Sequence, residues 1–235
     1  FTARFVLGAY GKRSNLDINL KRDFVQKKSG WLAIKAHYKN DSYPKHLVSL
    51  HNFNGGYCGL SKTEIGVVNV CYLATYKSFK KHKSPEEFRN SVLRKNPKLN
   101  EFFSNAQPVF EKDLSIAQIS FDKKRLIDNH ILMLGDAAGL IHPLCGNGMA
   151  MAIHSAKLAA EELLKYFNNT CSREEVELSY GDRWNANFKS RLRMGRVLQR
   201  ILLSPKLAEV SHKFVNTVPF LLPMIIKTTH GKAVA

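Results

Sequence analysis

Acidic residues are scarce in this chain. Only 19 Asp and Glu stand against 36 Lys and Arg, which leaves a formal charge of +17 at pH 7. An imbalance of that size suits an anionic partner: nucleic acid, a membrane surface or an anionic ligand. The basic residues are dispersed over Lys21-Arg22, Lys27-Lys28, Lys80 to Lys83, Lys123 to Arg125 and Lys189 to Arg200. No nucleic-acid-binding module accompanies them, so nucleic acid is set aside. Cysteine is also sparse. Cys58, Cys71, Cys145 and Cys171 show neither close pairing nor metal-ligand spacing, which argues against a disulfide scaffold and a zinc centre. Free thiols in a reducing cytoplasm account for them most simply. Long apolar runs are missing too. The strongest, Val218 to Ile226, is too short to span a bilayer and is interrupted by Pro219 and Pro223. No Gly-x-Gly-x-x-Gly fingerprint opens the chain, and no catalytic triad or metal cluster stands out. With 44% hydrophobic and 23% charged residues, the chain can still bury a core, in one or two domains.

The most informative stretch runs from Gly135 to Met149, Gly-Asp-Ala-Ala-Gly-Leu-Ile-His-Pro-Leu-Cys-Gly-Asn-Gly-Met. The apolar run His130-Ile131-Leu132-Met133-Leu134 enters a Gly-Asp turn. A proline-glycine loop then feeds a long amphipathic segment, Met149 to Phe167. Strand, acidic turn, glycine loop and helix start together can seat a polyol-linked anionic cofactor. The Asp136 carboxylate can accept hydrogen bonds from sugar-like hydroxyls. The free amides of the helix start can face an electron-rich ring or a phosphate. Gly146 and Gly148 admit close backbone approach. The alternative is an ordinary strand-turn-helix with a glycine cap. Cys145, inside this loop, is read as a small residue filling a tight turn rather than as a reactive thiol.

This stretch resembles the second flavin-binding motif of FAD-dependent oxidoreductases with the p-hydroxybenzoate hydroxylase fold, a superfamily of aromatic-ring monooxygenases, flavin halogenases and geranylgeranyl reductases. The resemblance assigns the ribityl chain of FAD to Asp136, in Gly135-Asp136-Ala137-Ala138. It places Pro143, Gly146, Asn147, Gly148 and Met149 under the flavin ring. A second segment, Phe5-Val6-Leu7-Gly8-Ala9-Tyr10-Gly11-Lys12-Arg13-Ser14, resembles the family's Gly-Ala-Asp-Gly-x-x-Ser turn beside the cofactor. Gly8 and Gly11 fit its turn, and Arg13 and Ser14 its polar positions. Tyr10 departs from it, standing where many hydroxylases carry an Asp associated with the flavin pyrophosphate and with reduced-nicotinamide use. The family also begins with a glycine fingerprint that binds the FAD pyrophosphate. The resemblance therefore implies that these residues are the later portion of a longer flavoprotein.

The expected architecture is α+β: a mostly antiparallel substrate-domain sheet inserted into an FAD-binding domain and followed by carboxyl-terminal helices. Residues 1–16 belong to the FAD-binding domain, 17–122 to the inserted sheet, 123–171 to the second flavin motif and 172–235 to a helical region. Trp31 to Tyr38, His46 to Phe53, Glu64 to Thr75 and Leu114 to Phe121 read as strands, with a bend at Gly55-Gly56. Ser84-Pro85-Glu86-Glu87 announces a helix, and a second spans Pro97 to Ser104. In the family, such a sheet forms one wall of the substrate chamber.

Catalytic residues are less clear, because in flavoenzymes the cofactor carries the hard chemistry. His37 and His51, on expected strands, and His142, beside the flavin loop, are the candidates for proton transfer or orientation. Tyr38 and Tyr57 are candidates for orienting a substrate. The expected function is an FAD-dependent monooxygenase acting on a small aromatic or apolar substrate, with NAD(P)H as a further cofactor. Alternatives are a reductase of isoprenoid or lipid double bonds, a halogenase-like relative, and a noncatalytic binding module. The Trp-x-Trp-x-x-Pro motif of halogenases is not formed by Trp31 and Trp184. The apolar tail reads first as a helix packed on the core or covering the chamber; with the basic clusters, its alternative is a lipid-facing surface that gives an otherwise cytoplasmic protein peripheral membrane contact.

Overall fold

The computed structural model describes residues 2–27, 29–117 and 119–230. In chain order the elements begin with strand β1 (Val6–Gly8) and helices α1 (Asn15–Asn19) and α2 (Asp23–Gln26). Then come β2 (Trp31–Lys39), β3 (Val48–Phe53), β4 (Gly56–Lys62) and β5 (Val68–Thr75). Helices α3 (Tyr76–Phe79), α4 (Pro85–Ser91) and α5 (Pro97–Ser104) come next, and then β6 (Gln107–Pro108) and β7 (Leu114–Ala117). The last strands are β8 (Ile127–Asp128) and β9 (Ile131–Met133), and the chain continues through α6 (Gly148–Phe167), α7 (Arg173–Leu203), α8 (Pro205–Thr217) and α9 (Leu221–His230). This is an α+β chain.

It divides into two compact units, one of Phe1–Lys27, Ser120–Gln199 and His212–Ala235 and another of Lys28–Ile119 and Arg200–Ser211. The boundary at Lys28, rather than near residue 17, reflects two short helices with no strong signal in the sequence. Ser14 caps α1 with a capping box, and Asp17, buried in α1, ties that turn into the first unit.

In the second unit the sheet order is β3-β4-β5-β2-β6, antiparallel throughout, with β7 also paired to β2. Period-two alternation decides which face is covered. Leu32, Ile34 and Tyr38 of β2, and Val68, Val70, Tyr72 and Ala74 of β5, are buried together with Phe88 of α4 and Leu99, Phe102 and Phe103 of α5. Two caps hold those helices in place. Ser84 accepts from the Glu87 amide at 3.1 Å, and the Asn96 side chain accepts from the Lys98 amide at 3.0 Å. Two strand assignments change. Gly56–Lys62, expected only to bend at its glycines, is a full central strand. Glu64 to Val67 is instead a turn, with Gly66 at φ +84° and Ile65 exposed.

In the first unit β1 pairs in parallel with β9, Val6 opposite Ile131 and Gly8 opposite Met133, and β8 completes the sheet. Its core gathers Leu132, Met133 and Leu134 with Val176, Tyr180, Trp184 and Phe188 of α7. The spacing of four along α7 places those four side chains on one face.

Candidate functional site

Parallel pairing of β1 and β9 brings the turns after them to the same end of the sheet. The Leu134 amide donates to the Gly8 carbonyl at 3.0 Å and extends the ladder into the turn. Gly8 has no room for a side chain: a Cβ there would lie 2.6 Å from the Met133 sulfur. Gly135 opens the second turn at φ +54°, and its amide donates to Ser155 Oγ of α6 at 2.9 Å. Asp136 sits in the single turn of 3₁₀-helix that Gly135 begins.

The Asp136 carboxylate is half-buried and accepts no hydrogen bond among the described residues. Burial raises its pKa, opposed by the positive charges of Lys12 and Lys124. An acceptor in that state suits a hydroxyl-bearing ligand, because it is already desolvated and two cations keep the negative charge in place.

Lys124, which the sequence shows only as part of a basic cluster, is the brace of this end of the unit. Its ammonium is buried and donates to the Asp136 carbonyl at 2.7 Å and the Lys12 carbonyl at 3.0 Å, with the Phe24 ring 4.3 Å away. Burial pulls its pKa down to about 8. Arg22 is a second brace that the sequence did not signal. It is fully buried and donates to the Tyr10 hydroxyl at 2.8 Å, Asp17 Oδ1 at 2.9 Å, the Ala137 carbonyl at 3.1 Å and the Arg125 carbonyl at 2.6 Å. Tyr10 in turn donates to Asp17 Oδ1 at 2.6 Å, and burial pushes its phenol up to about 12. The tyrosine at this position is therefore built into a structural cluster with Asp17 and Arg22. Arg13 is exposed and has no partner among the described residues.

The loop after the Gly-Asp turn packs at its start and opens at its end. A Cβ on Gly139 would strike the Trp184 ring at 2.9 Å. His142 is buried and stacked on Phe121 with centroids 4.5 Å apart. Burial pulls its pKa down to about 4. The buried environment thus favours the neutral imidazole. Burial pushes the Cys145 thiol up to about 11, in keeping with a packed residue rather than a nucleophile. Pro143, Gly146 and Met149 are exposed, and Gly146 adopts the left-handed conformation at φ +62°. A Cβ at Gly146 or at Gly11 would meet nothing within 4 Å, so open space lies over both. Helix α6 begins at Gly148 without an acid in its first turn. Its N-cap residue, Asn147, does not cap it, and the Asn147 side-chain amide donates instead to the His230 carbonyl at 3.0 Å. The first-turn amides of a helix left in that state are donors toward a ligand.

The structure thus brings Gly8, Gly11, Gly135, Asp136, Gly146, Asn147, Gly148 and Met149 into one unit. The strand candidates do not converge. His51 is in register with Cys58, which is in register with Tyr72 and so with Ile34, on the helix-covered face. His37 lies three residues beyond Ile34, on the opposite face. His51 bonds Ser49 Oγ at 2.9 Å, and burial, then Lys98, lowers its pKa. His37 sits beside Phe110. Tyr38 belongs to the core, its hydroxyl accepting from Arg89 at 2.8 Å and its phenol pushed up to about 12 by burial. Tyr57 is buried on β4. Among the described residues no His, Cys, Asp or Glu cluster could hold a metal ion.

No protein-family model matches the chain. It is 26% identical over 223 residues to conditioned medium factor receptor 1 of Dictyostelium discoideum, covering 86% of this chain and 40% of that protein. A shorter stretch of 93 residues is 31% identical to digeranylgeranylglycerophospholipid reductase 3 of Methanosphaera stadtmanae, covering 36% of this chain and 22% of the reductase. The chain therefore spans well under half the length of these curated relatives. Among solved structures, a flavin-dependent brominase superposes with a TM-score of 0.76 at 16% identity, over 99% of this chain and 58% of the brominase. A protein described as a probable FAD-dependent monooxygenase from Pseudomonas aeruginosa does so with a TM-score of 0.60 at 18% identity, over 87% and 57%. The chain has the fold shared by these halogenases and monooxygenases.

Proposed function

We propose that this chain belongs to an FAD-dependent oxidoreductase. One observation carries the reading: the Asp136 carboxylate stands without a hydrogen bond from the described residues, at the end of parallel strands and in the same unit as two glycines with open space over them. Asp136 would accept from the ribityl hydroxyls of FAD. Gly146 and Gly148 would let the ring approach the backbone, and the first-turn amides of α6 would donate toward it. Lys124 and Arg22 would hold the two turns in place, and Lys12 and Lys124 would add positive charge beside an anionic cofactor. When bound, FAD supplies the redox chemistry, and the protein positions the substrate and excludes water.

The preferred finer reading is a monooxygenase acting on a small aromatic or apolar substrate, with a reduced nicotinamide as electron donor. The fold shared with a monooxygenase supports it. A second reading, reduction of isoprenoid or lipid double bonds, is favoured by two observations. Tyr10 is locked into the Asp17–Arg22 cluster where hydroxylases carry Asp. The 93-residue stretch at 31% identity matches a digeranylgeranylglycerophospholipid reductase.

The test is equilibrium binding of FAD, followed by its absorption after desalting, for the protein and for Asp136→Ala. Hydrogen bonds to a charged acceptor are worth about 1.5–3 kcal/mol each, so the variant should bind FAD at least about tenfold more weakly. Equal affinity would remove the assignment. Substrate-dependent oxygen consumption would then support oxygenation, and anaerobic saturation of a polyprenyl chain would support reduction.

A further inference from the structure

The carboxyl-terminal helices leave their apolar side chains outside. Leu207, Val210 and Phe214 follow i, i+3, i+7 spacing along α8 and so share one face, yet they are 53%, 64% and 59% exposed. Phe220, Leu222, Met224 and Ile226, just before and within α9, are also exposed, Phe220 most of all at 70%. Seven large apolar side chains within twenty residues are far more than the scattered single ones of an ordinary surface. The charge around them is predominantly positive. From residue 200 to 230 the exposed cations are Arg200, Lys206, Lys213 and Lys227, and the only acid is Glu209. Pro219 and Pro223 interrupt the stretch, and no helix among the described residues is long and apolar enough to cross a membrane.

We propose that residues 205–230 dock the protein on the surface of an anionic bilayer. The apolar side chains enter the boundary between headgroups and acyl chains, and Lys206, Lys227 and their neighbours meet the lipid phosphates. The stretch has what an in-plane anchor requires: an amphipathic helix, a polar face dominated by cations, and exposed apolar area. Charge selects this occupant over a second copy of the chain, since two such surfaces would set cations against cations. Each Lys or Arg held near an anionic leaflet strengthens binding about fivefold. The inference does not depend on the flavin reading, because it uses none of the residues assigned to the cofactor.

Vesicle flotation tests it, with phosphatidylcholine alone or mixed with phosphatidylserine. The protein should bind the mixed vesicles at least about tenfold more tightly, and high salt should weaken that binding. Phe214→Asp combined with Phe220→Asp should reduce it by about tenfold or more. Lys206→Glu combined with Lys227→Glu should abolish the preference for phosphatidylserine. Phe220→Trp supplies a check that does not depend on a damaging substitution: its emission should shift to the blue on vesicles and be quenched by brominated lipid. Far-UV circular dichroism confirms that each variant is folded. Absence of a phosphatidylserine preference, or an indole emission from the Phe220→Trp variant that stays unshifted and unquenched, overturns the proposal. So does a double aspartate variant that disperses an oligomer while leaving vesicle binding unchanged, which would assign the apolar surface to self-association.

Discussion

Replacing Arg22 by Met tests how the turns that follow β1 and β9 are held together. Met keeps much of the apolar stem but removes donors to four acceptors: Tyr10, Asp17 and the carbonyls of Ala137 and Arg125. Asp17 is fully buried and would keep only the bonds from the Tyr10 hydroxyl at 2.6 Å and the Ser14 amide at 2.8 Å. Breaking a buried ion pair from one side costs about 3–5 kcal/mol, because the remaining charge has lost its partner. Asp17→Asn should cost less, about 2 kcal/mol. An Asn can still accept from the Ser14 amide, and Arg22 retains Asp128 at 3.6 Å and the two carbonyls. The double variant has neither buried charge. It should be less destabilised than the two single losses added together, by a coupling energy of about 2 kcal/mol. Urea unfolding of the four proteins measures this cycle. Additivity to within about 0.5 kcal/mol, or a loss under about 1 kcal/mol for Arg22→Met, would refute the role given to Arg22.

Two other outcomes are expected at the same end of the unit. His142 has its folded pKa depressed from 6.5 to about 4, so between those values the unfolded chain binds a proton that the folded one does not. Its contribution to stability is therefore complete above about pH 6.5 and is lost as pH falls toward 4, by on the order of 3 kcal/mol. His142→Gln should flatten that part of the stability profile, and matching slopes for the two proteins would show that the imidazole is not buried as described. Gly146→Ala places a methyl group in left-handed backbone with open space beyond it. It should cost roughly 1–2 kcal/mol of stability while weakening FAD by more than that. An affinity loss no larger than for an alanine at Gly66, also left-handed but in a hairpin turn of the other unit, would count against the cofactor role proposed for Gly146.

Much of the fold can be read from local patterns. The helices at Pro85 and Pro97 are announced by a capping residue and a proline at the next position, and α6 by its amphipathic spacing. The Gly-Asp turn is legible because left-handed backbone and close approach admit few residues. What stayed hidden depends on long-range pairing. Gly56–Lys62, which contains two glycines, has weak strand character of its own and becomes a central strand by pairing on both sides, with β3 and β5. The placement of His37 and His51 stayed hidden for a related reason: only the register across four strands shows that they lie on opposite faces of the sheet. Arg22 and Lys124 look like members of dispersed basic clusters. Their burial results from where β1 and β9 bring their turns, which no local pattern records.

Ser29 Oγ donates to the carbonyl of Ile119, so the two ends of the inserted sheet unit meet. That contact bears on the order in which the molecule assembles. Val6 and Ile131 pair across 125 positions of chain, a long loop to close in an unfolded molecule. Once the inserted unit has formed, its ends are already together and the remaining flexible chain is about a quarter as long. Loop-closure entropy then falls by about 1 kcal/mol. The inserted sheet thus acts as a clasp for the parallel pair, and the turns bearing Lys12 and Asp136 find each other most readily when it folds first.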